Sequence, residues 1–201
     1  MSEWSLVIAE GVQGFMRAIV YTSNAGSTAR YAKMLSQATG LPTYALAEAR
    51  HNLPAGTEII YAGWVMANCV KGYAAAAKRF SVQTVCAVGM AETGMQLEIT
   101  RQKSSIPADI PLFTLQGNFN LQKLRGTYRL LMWLMVRALK KKADRTPEES
   151  AMLEMLCDGI DRVDARNLAA VIDWYGKRKE EKNKWNQVKS IRVRGTRRPC
   201  T

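Results

Sequence analysis

The chain is 201 residues long and 47% hydrophobic, enough to fill one sizeable core, so global disorder is excluded and one domain, alone or with an appendage, is expected. Twenty-nine lysines and arginines oppose 17 acids, for a net charge of +12, and no apolar run approaches the roughly 20 residues of a membrane span. An integral membrane protein is thereby excluded. The opening Met1-Ser2-Glu3-Trp4-Ser5 lacks the cationic start of a secretory signal, so a cytoplasmic location is expected.

The first 15 residues fit no element and are expected to be an extension outside the core. Residues 17–22 form a β-branched and aromatic run that predicts a first strand. A helix follows from about Thr28 to Ala38, with Tyr31, Leu35 and Ala38 at i, i+4 and i+7, stopped by Gly40 and Pro42. Thr43 to Leu46 predicts a weak second strand. His51, the single histidine, stands in a loop-like stretch ending at Pro54 and reads as a surface residue. Glu58 to Trp64 predicts a third strand, Val70 to Phe80 an alanine-rich helix, Gln83 to Gly89 a fourth strand and Pro111 to Gln116 a fifth.

Such alternation predicts an α/β domain over residues 16–176: a doubly wound, five-stranded parallel sheet with helices on both faces and a helical C-terminal extension. The extension holds a helix over Asn120–Lys142, and a second opened by Thr146-Pro147-Glu148-Glu149 as a capping box and running to about Cys157. A last helix, capped by Asp164, runs through Leu168, Val171, Ile172 and Tyr175. From Lys177 to the end there are ten basic residues and two acids, so +8 of the +12 sits in residues 177–201. That basic tail is a separate electrostatic object, read as a solvated helix end or as a contact for anionic lipid or nucleic acid. Only Trp185 interleaves its charges, so nucleic acid is not the expected partner.

Several chemistries are excluded. Cys69, Cys86, Cys157 and Cys200 stand far apart, none in a CxxC pair, which removes a zinc ribbon or thioredoxin-type site and predicts reduced thiols. One histidine cannot build a histidine-rich metal site, and a GxSxG elbow is absent. No side chain is singled out as a catalytic acid or base, and no metal is expected.

The loop between the first strand and first helix carries the strongest chemistry. Thr22-Ser23-Asn24-Ala25-Gly26-Ser27-Thr28 packs four hydroxyls and one glycine into seven residues. In an open parallel sheet, ligands bind at the carboxyl ends of the strands. A helix N-terminus there offers unpaired N–H groups and the positive end of the macrodipole to a phosphate. Gly26 lets the backbone come close or take a positive φ. Neither the Walker pattern nor GxGxxG is present. Hydroxyl-rich turns are also ordinary helix caps, and composition alone does not separate the two uses.

Ile19 to Thr28 resembles the FMN phosphate loop of flavodoxin-like proteins, in which a strand is followed by Ser/Thr-x-Thr-Gly-x-Thr. Ala25 stands where the middle threonine is usual. Gly63-Trp64-Val65-Met66-Ala67, followed by Lys71-Gly72-Tyr73, resembles the loop that borders the isoalloxazine ring. Gly89-Met90-Ala91 falls where the next loop would close the other side. Gln116-Gly117-Asn118-Phe119 with Lys123-Leu124 resembles the branch containing menaquinone-dependent protoporphyrinogen dehydrogenase. The resemblance covers about residues 16–170 and implies the strand order 2-1-3-4-5, an FMN cofactor and electron transfer. Trp64, at a strand end, would either stack on the ring or be an ordinary core or rim tryptophan of the protein; Met66 and Met90 are more often packing residues.

Three functions follow as expectations. The first is an oxidoreductase passing electrons between FMN and a quinone or porphyrinogen-like substrate. The second is a non-enzymatic electron carrier, although carriers of the resembled family are usually acidic and this chain is basic. The third is a binding module with a degenerate flavin site. A redox protein partner and a homodimer are both compatible with the sequence. The helix near Tyr128–Ala143 joins an apolar run to Arg129, Arg137, Lys140, Lys141 and Lys142. It either packs on the sheet or rests on the inner face of a membrane, where a dissolved quinone would be reachable.

Overall fold

A computed structural model describes residues 16–119, 126–147, 149, 150, 153, 156 and 160–194. Expectations about residues 1–15, about Lys123-Leu124 and about the last seven residues lie outside them, as does most of the helix expected up to Cys157.

Five short apolar segments pair side by side: β1 (Ala18–Thr22), β2 (Thr43–Ala45), β3 (Glu58–Met66), β5 (Ser81–Gly89) and β6 (Leu112–Gln116). They are parallel, in the spatial order β2-β1-β3-β5-β6. A sixth strand, β4 (Cys69–Val70), folds back antiparallel on β3 through a turn with positive φ at Ala67 and Asn68. This corrects the expected five-stranded sheet. Val65 and Met66 extend β3 beyond Trp64, and the two-residue turn closes a hairpin onto it.

Alternation along the strands builds two cores. Val20, Ile59, Tyr61, Val85 and Ala87 face one side, where α2 (Leu46–Asn52), α3 (Tyr73–Ala77) and α4 (Leu97–Ser104) contribute residues such as Ala49, Tyr73 and Ala76. Ile19, Ile60, Cys86, Val88 and Leu115 face the other side, packed with Tyr31 and Leu35 of α1 (Ser27–Thr39) and Val171 and Tyr175 of α6 (Ala169–Arg194). A bulge keeps both faces apolar: Ile59 pairs with Val82 and Ile60 with Thr84, so Gln83 is skipped. The result is an α/β domain with a parallel sheet covered on both faces, compatible with a flavodoxin-like fold.

Three elements depart from the sequence reading. The stretch around His51 is a helix, α2; its entry is held by the Ala45 N–H donating to Glu48 Oε2 at 3.2 Å, and its small Ala49 is fully buried. His51 itself is exposed, as expected. Leu97–Ser104 is also helical, although the sequence there shows little apolar periodicity: of its residues only Thr100 is buried. The alanine-rich helix is shorter than expected, beginning after Gly72 rather than at Val70.

The C-terminal part wraps back onto the α1 side. β7 (Asn118–Phe119) pairs antiparallel with β8 (Ile160–Asp161). The Tyr31 hydroxyl donates to the Gln116 carbonyl and accepts from Asn167 Nδ2 at 2.7 Å, tying α1, β6 and the turn before α6 together. Asp164 caps that turn, a 3-10 stretch over Ala165–Leu168, by accepting the Arg166 N–H at 2.8 Å. α6 then continues through the basic segment from Lys177 to Arg194. The expected capping box forms: Glu149 N–H donates to Thr146 Oγ1 at 3.2 Å and Thr146 N–H to Glu149 Oε2 at 3.0 Å.

Candidate cofactor site

β1, β3, β5 and β6 end at the same edge of the sheet, and a cavity of about 830 Å³ opens there. Its floor is built by the loop after β1, through Asn24, Ala25, Ser27 and Thr28. Trp64, Val65, Met66 and Ala67 from the β3 end form one side. Val88, Gly89 and Met90 from β5, with Gly117 and Asn118 after β6, form the other. Ten of the expected site residues thus meet in one place, drawn from three separate chain segments.

The remaining expected residues do structural work around it. Thr22 sits behind the loop, its Oγ1 2.8 Å from the Tyr61 hydroxyl, which also donates to the Lys71 carbonyl at 2.7 Å. Burial pushes the Tyr61 phenol up to about 12. Ser23 Oγ accepts the Gly26 N–H at 3.2 Å and so folds the loop on itself. Gly63 is buried; a Cβ there would come within 2.8 Å of the Lys71 carbonyl, so it is a packing glycine that lets the β4 segment close. Ala91 is half-buried beyond the β5 end and does not line the cavity.

Gly26 takes φ +97, the left-handed conformation, and stands as N-cap of α1 without a side-chain cap. The first intrahelical bond runs from the Arg30 N–H to the Gly26 carbonyl at 3.0 Å. The amides of Ser27, Thr28 and Ala29 therefore have no partner within the helix. No acid occupies the first turn of α1. The positive end of the helix is thus turned toward the cavity floor with nothing in that turn to neutralise it. Ser27 is less available than its hydroxyl suggests: Oγ bonds Asn118 Oδ1 and accepts the Asn118 N–H at 3.3 Å, fastening the first loop to the β6 end. Among the cavity-lining residues none is charged.

The sequence reading missed the fourth wall. α5 (Thr127–Lys141) lays Leu131, Met132, Leu134, Met135 and Ala138 along the cavity, instead of resting on the sheet. The signal was present as the apolar run Leu130–Val136, but such a run does not say which surface a helix faces. Gly117 and Asn118 were noticed only through the family resemblance. Gly117 is required by packing, since a Cβ would fall 2.9 Å from Val88 Cγ1.

Chemically, the arrangement offers unpaired main-chain donors at one end and an apolar, aromatic slot along the rest. Among the described residues no group of histidines, cysteines or carboxylates is placed to hold a metal. Compared with protein-family models, with curated proteins and with solved structures, the chain gives no match.

Proposed function

We propose that the chain is an FMN-binding redox protein that passes electrons between the flavin and a quinone or porphyrinogen-like partner. The observation that carries the reading is the meeting, in one cavity, of an uncapped helix N-terminus with an apolar slot beside Trp64. A flavin mononucleotide is a flat aromatic ring on a phosphorylated chain, and its two ends ask for those two environments. The amides of Thr28 and Ala29 and the loop around Gly26 would hold the phosphate. Trp64, Met66 and Met90 would border the ring. When bound, the flavin supplies the electron-transfer chemistry; the residues of the chain bind it, orient it and keep water from its faces.

A specific observation favours a second reading, a binding module with a degenerate flavin site. Ala25 removes one hydroxyl, the Gly26 N–H is spent on Ser23 Oγ, and the Ser27 hydroxyl is spent on Asn118 Oδ1. Three potential phosphate donors are thereby lost or engaged. An absorbance titration of the purified chain with FMN separates the readings: a saturable red shift of the flavin band supports the first, and a spectrum that remains the sum of its parts supports the second. Turnover of a quinone with a reduced donor then divides an oxidoreductase from a carrier, since only the oxidoreductase saturates with substrate.

A further inference from the structure

α5 presents two surfaces. Leu131, Leu134 and Ala138, at i, i+3 and i+7, line the cavity. The adjacent row of Leu130, Trp133 and Arg137, continued by Lys140 and Lys141, does not. Leu130, Leu131, Trp133 and Leu134 are between 47% and 59% exposed, an unusual concentration of wet apolar side chains within five positions. The helix carries Arg129, Arg137, Lys140 and Lys141 and no acid. Among the described residues none of these four cations is paired with a carboxylate, whereas the next one, Lys142, is paired with Glu149 at 2.7 Å. The Arg137 guanidinium lies 5.3 Å from the centre of the Trp133 ring, so charge and apolar surface are interleaved on one face.

We infer that this outer face of α5 docks on an anionic lipid bilayer. Leu130 and Trp133 enter the boundary between headgroups and acyl chains, and the four cations meet lipid phosphates. The charge pattern selects this occupant. A nucleic acid would need several stacking rings and here finds one, while a copy of the same chain would set four cations against four. Among the described residues no helix is long and apolar enough to cross a membrane, so α5 lies on the surface rather than spanning it. This inference stands apart from the flavin reading, because the row concerned points away from the cavity.

The test is co-sedimentation of the full chain with vesicles of phosphatidylglycerol mixed with phosphatidylcholine, and of phosphatidylcholine alone. Binding to the anionic vesicles that weakens with added salt is expected, with little to the neutral ones. R137Q/K140Q/K141Q should lower the partition coefficient about fivefold for each charge removed. L130S/W133S should lower it about tenfold or more while the circular dichroism spectrum stays that of the parent. Equal binding to neutral vesicles would overturn the inference. So would unchanged binding by both variants, or a loss that instead follows K182Q/K184Q on α6. A dimer that L130S/W133S dissolves, with no vesicle binding by the parent, would assign the face to a second copy and refute the lipid.

Discussion

Gly72 offers the sharpest physical test of how the loop floor is held. It takes φ +84, where an alanine costs about 1–2 kcal/mol. A Cβ at this position would overlap the Tyr61 hydroxyl and stand 2.5 Å from Thr22 Oγ1. Tyr61 is fully buried, so it cannot swing into solvent; the hydroxyl must leave its bonds to the Lys71 carbonyl and Thr22. A buried hydroxyl displaced in this way costs about 1–3 kcal/mol. G72A should therefore destabilise the fold by about 3–4 kcal/mol, lowering Tm by roughly 10 °C in a domain of this size. Y61F alone should cost about 1–2 kcal/mol, because it strips two bonds but leaves no overlap. In the double variant the hydroxyl that collides is already gone. Its loss should fall short of the sum of the single losses by about 1–2 kcal/mol, a coupling that urea denaturation of the four proteins measures directly. Losses that add to within about 0.5 kcal/mol would refute the packing of Gly72 against Tyr61.

Further outcomes follow from the same geometry. Burial raises both the Tyr61 phenol and the Cys86 thiol to about 12. The unfolded chain releases these protons at ordinary values while the folded one holds them, so stability is full below about pH 9 and falls toward pH 12, by about 1.4 kcal/mol per pH unit for each group. Alkaline denaturation curves of Y61F and C86V should each lose part of that slope; unchanged slopes would contradict the burial. G26V should cost about 1–2 kcal/mol through its positive φ alone, since a Cβ there meets nothing within 4 Å, and should weaken FMN binding in a fluorescence titration. Unaltered FMN affinity would displace the phosphate from this loop. L168A, at a fully buried position where the turn before α6 meets the sheet, should cost about 2–5 kcal/mol in chemical denaturation. A cost below about 1 kcal/mol would mean that the turn before α6 is not packed into the core.

The strands were legible because their residues obey a two-residue period under helices on both faces: Ile19 and Val20 go to opposite cores, as do Ile60 and Tyr61. Gly26 was legible because it is the one glycine in the loop between β1 and α1, and glycine takes at no steric cost the positive φ that this turn adopts. The β4 hairpin was hidden, because Ala67 and Asn68 lack the glycine that usually announces a tight turn. α2 and α4 were hidden because they are short and bury little of their own surface, so tertiary packing rather than periodicity decides them. The role of α5 was illegible for a different reason: its apolar run predicts burial, but its partner is a cavity wall formed by residues more than 40 positions away, such as Val88 and Met90. Composition of the first loop suggested more phosphate donors than the fold leaves available, since the Ser27 hydroxyl donates to Asn118 Oδ1 and the Gly26 N–H to Ser23 Oγ.

The central claim is that an anionic group sits at the start of α1 while a flat ring lies beside Trp64. The most direct measurement compares FMN with riboflavin, which has the same ring and no phosphate, by quenching of flavin fluorescence on the full chain. A phosphate held by the α1 amides should make FMN bind more tightly than riboflavin by on the order of a hundredfold, with the difference shrinking as salt is added. Equal affinities would contradict the phosphate placement, and no quenching by either flavin would contradict the ring as well.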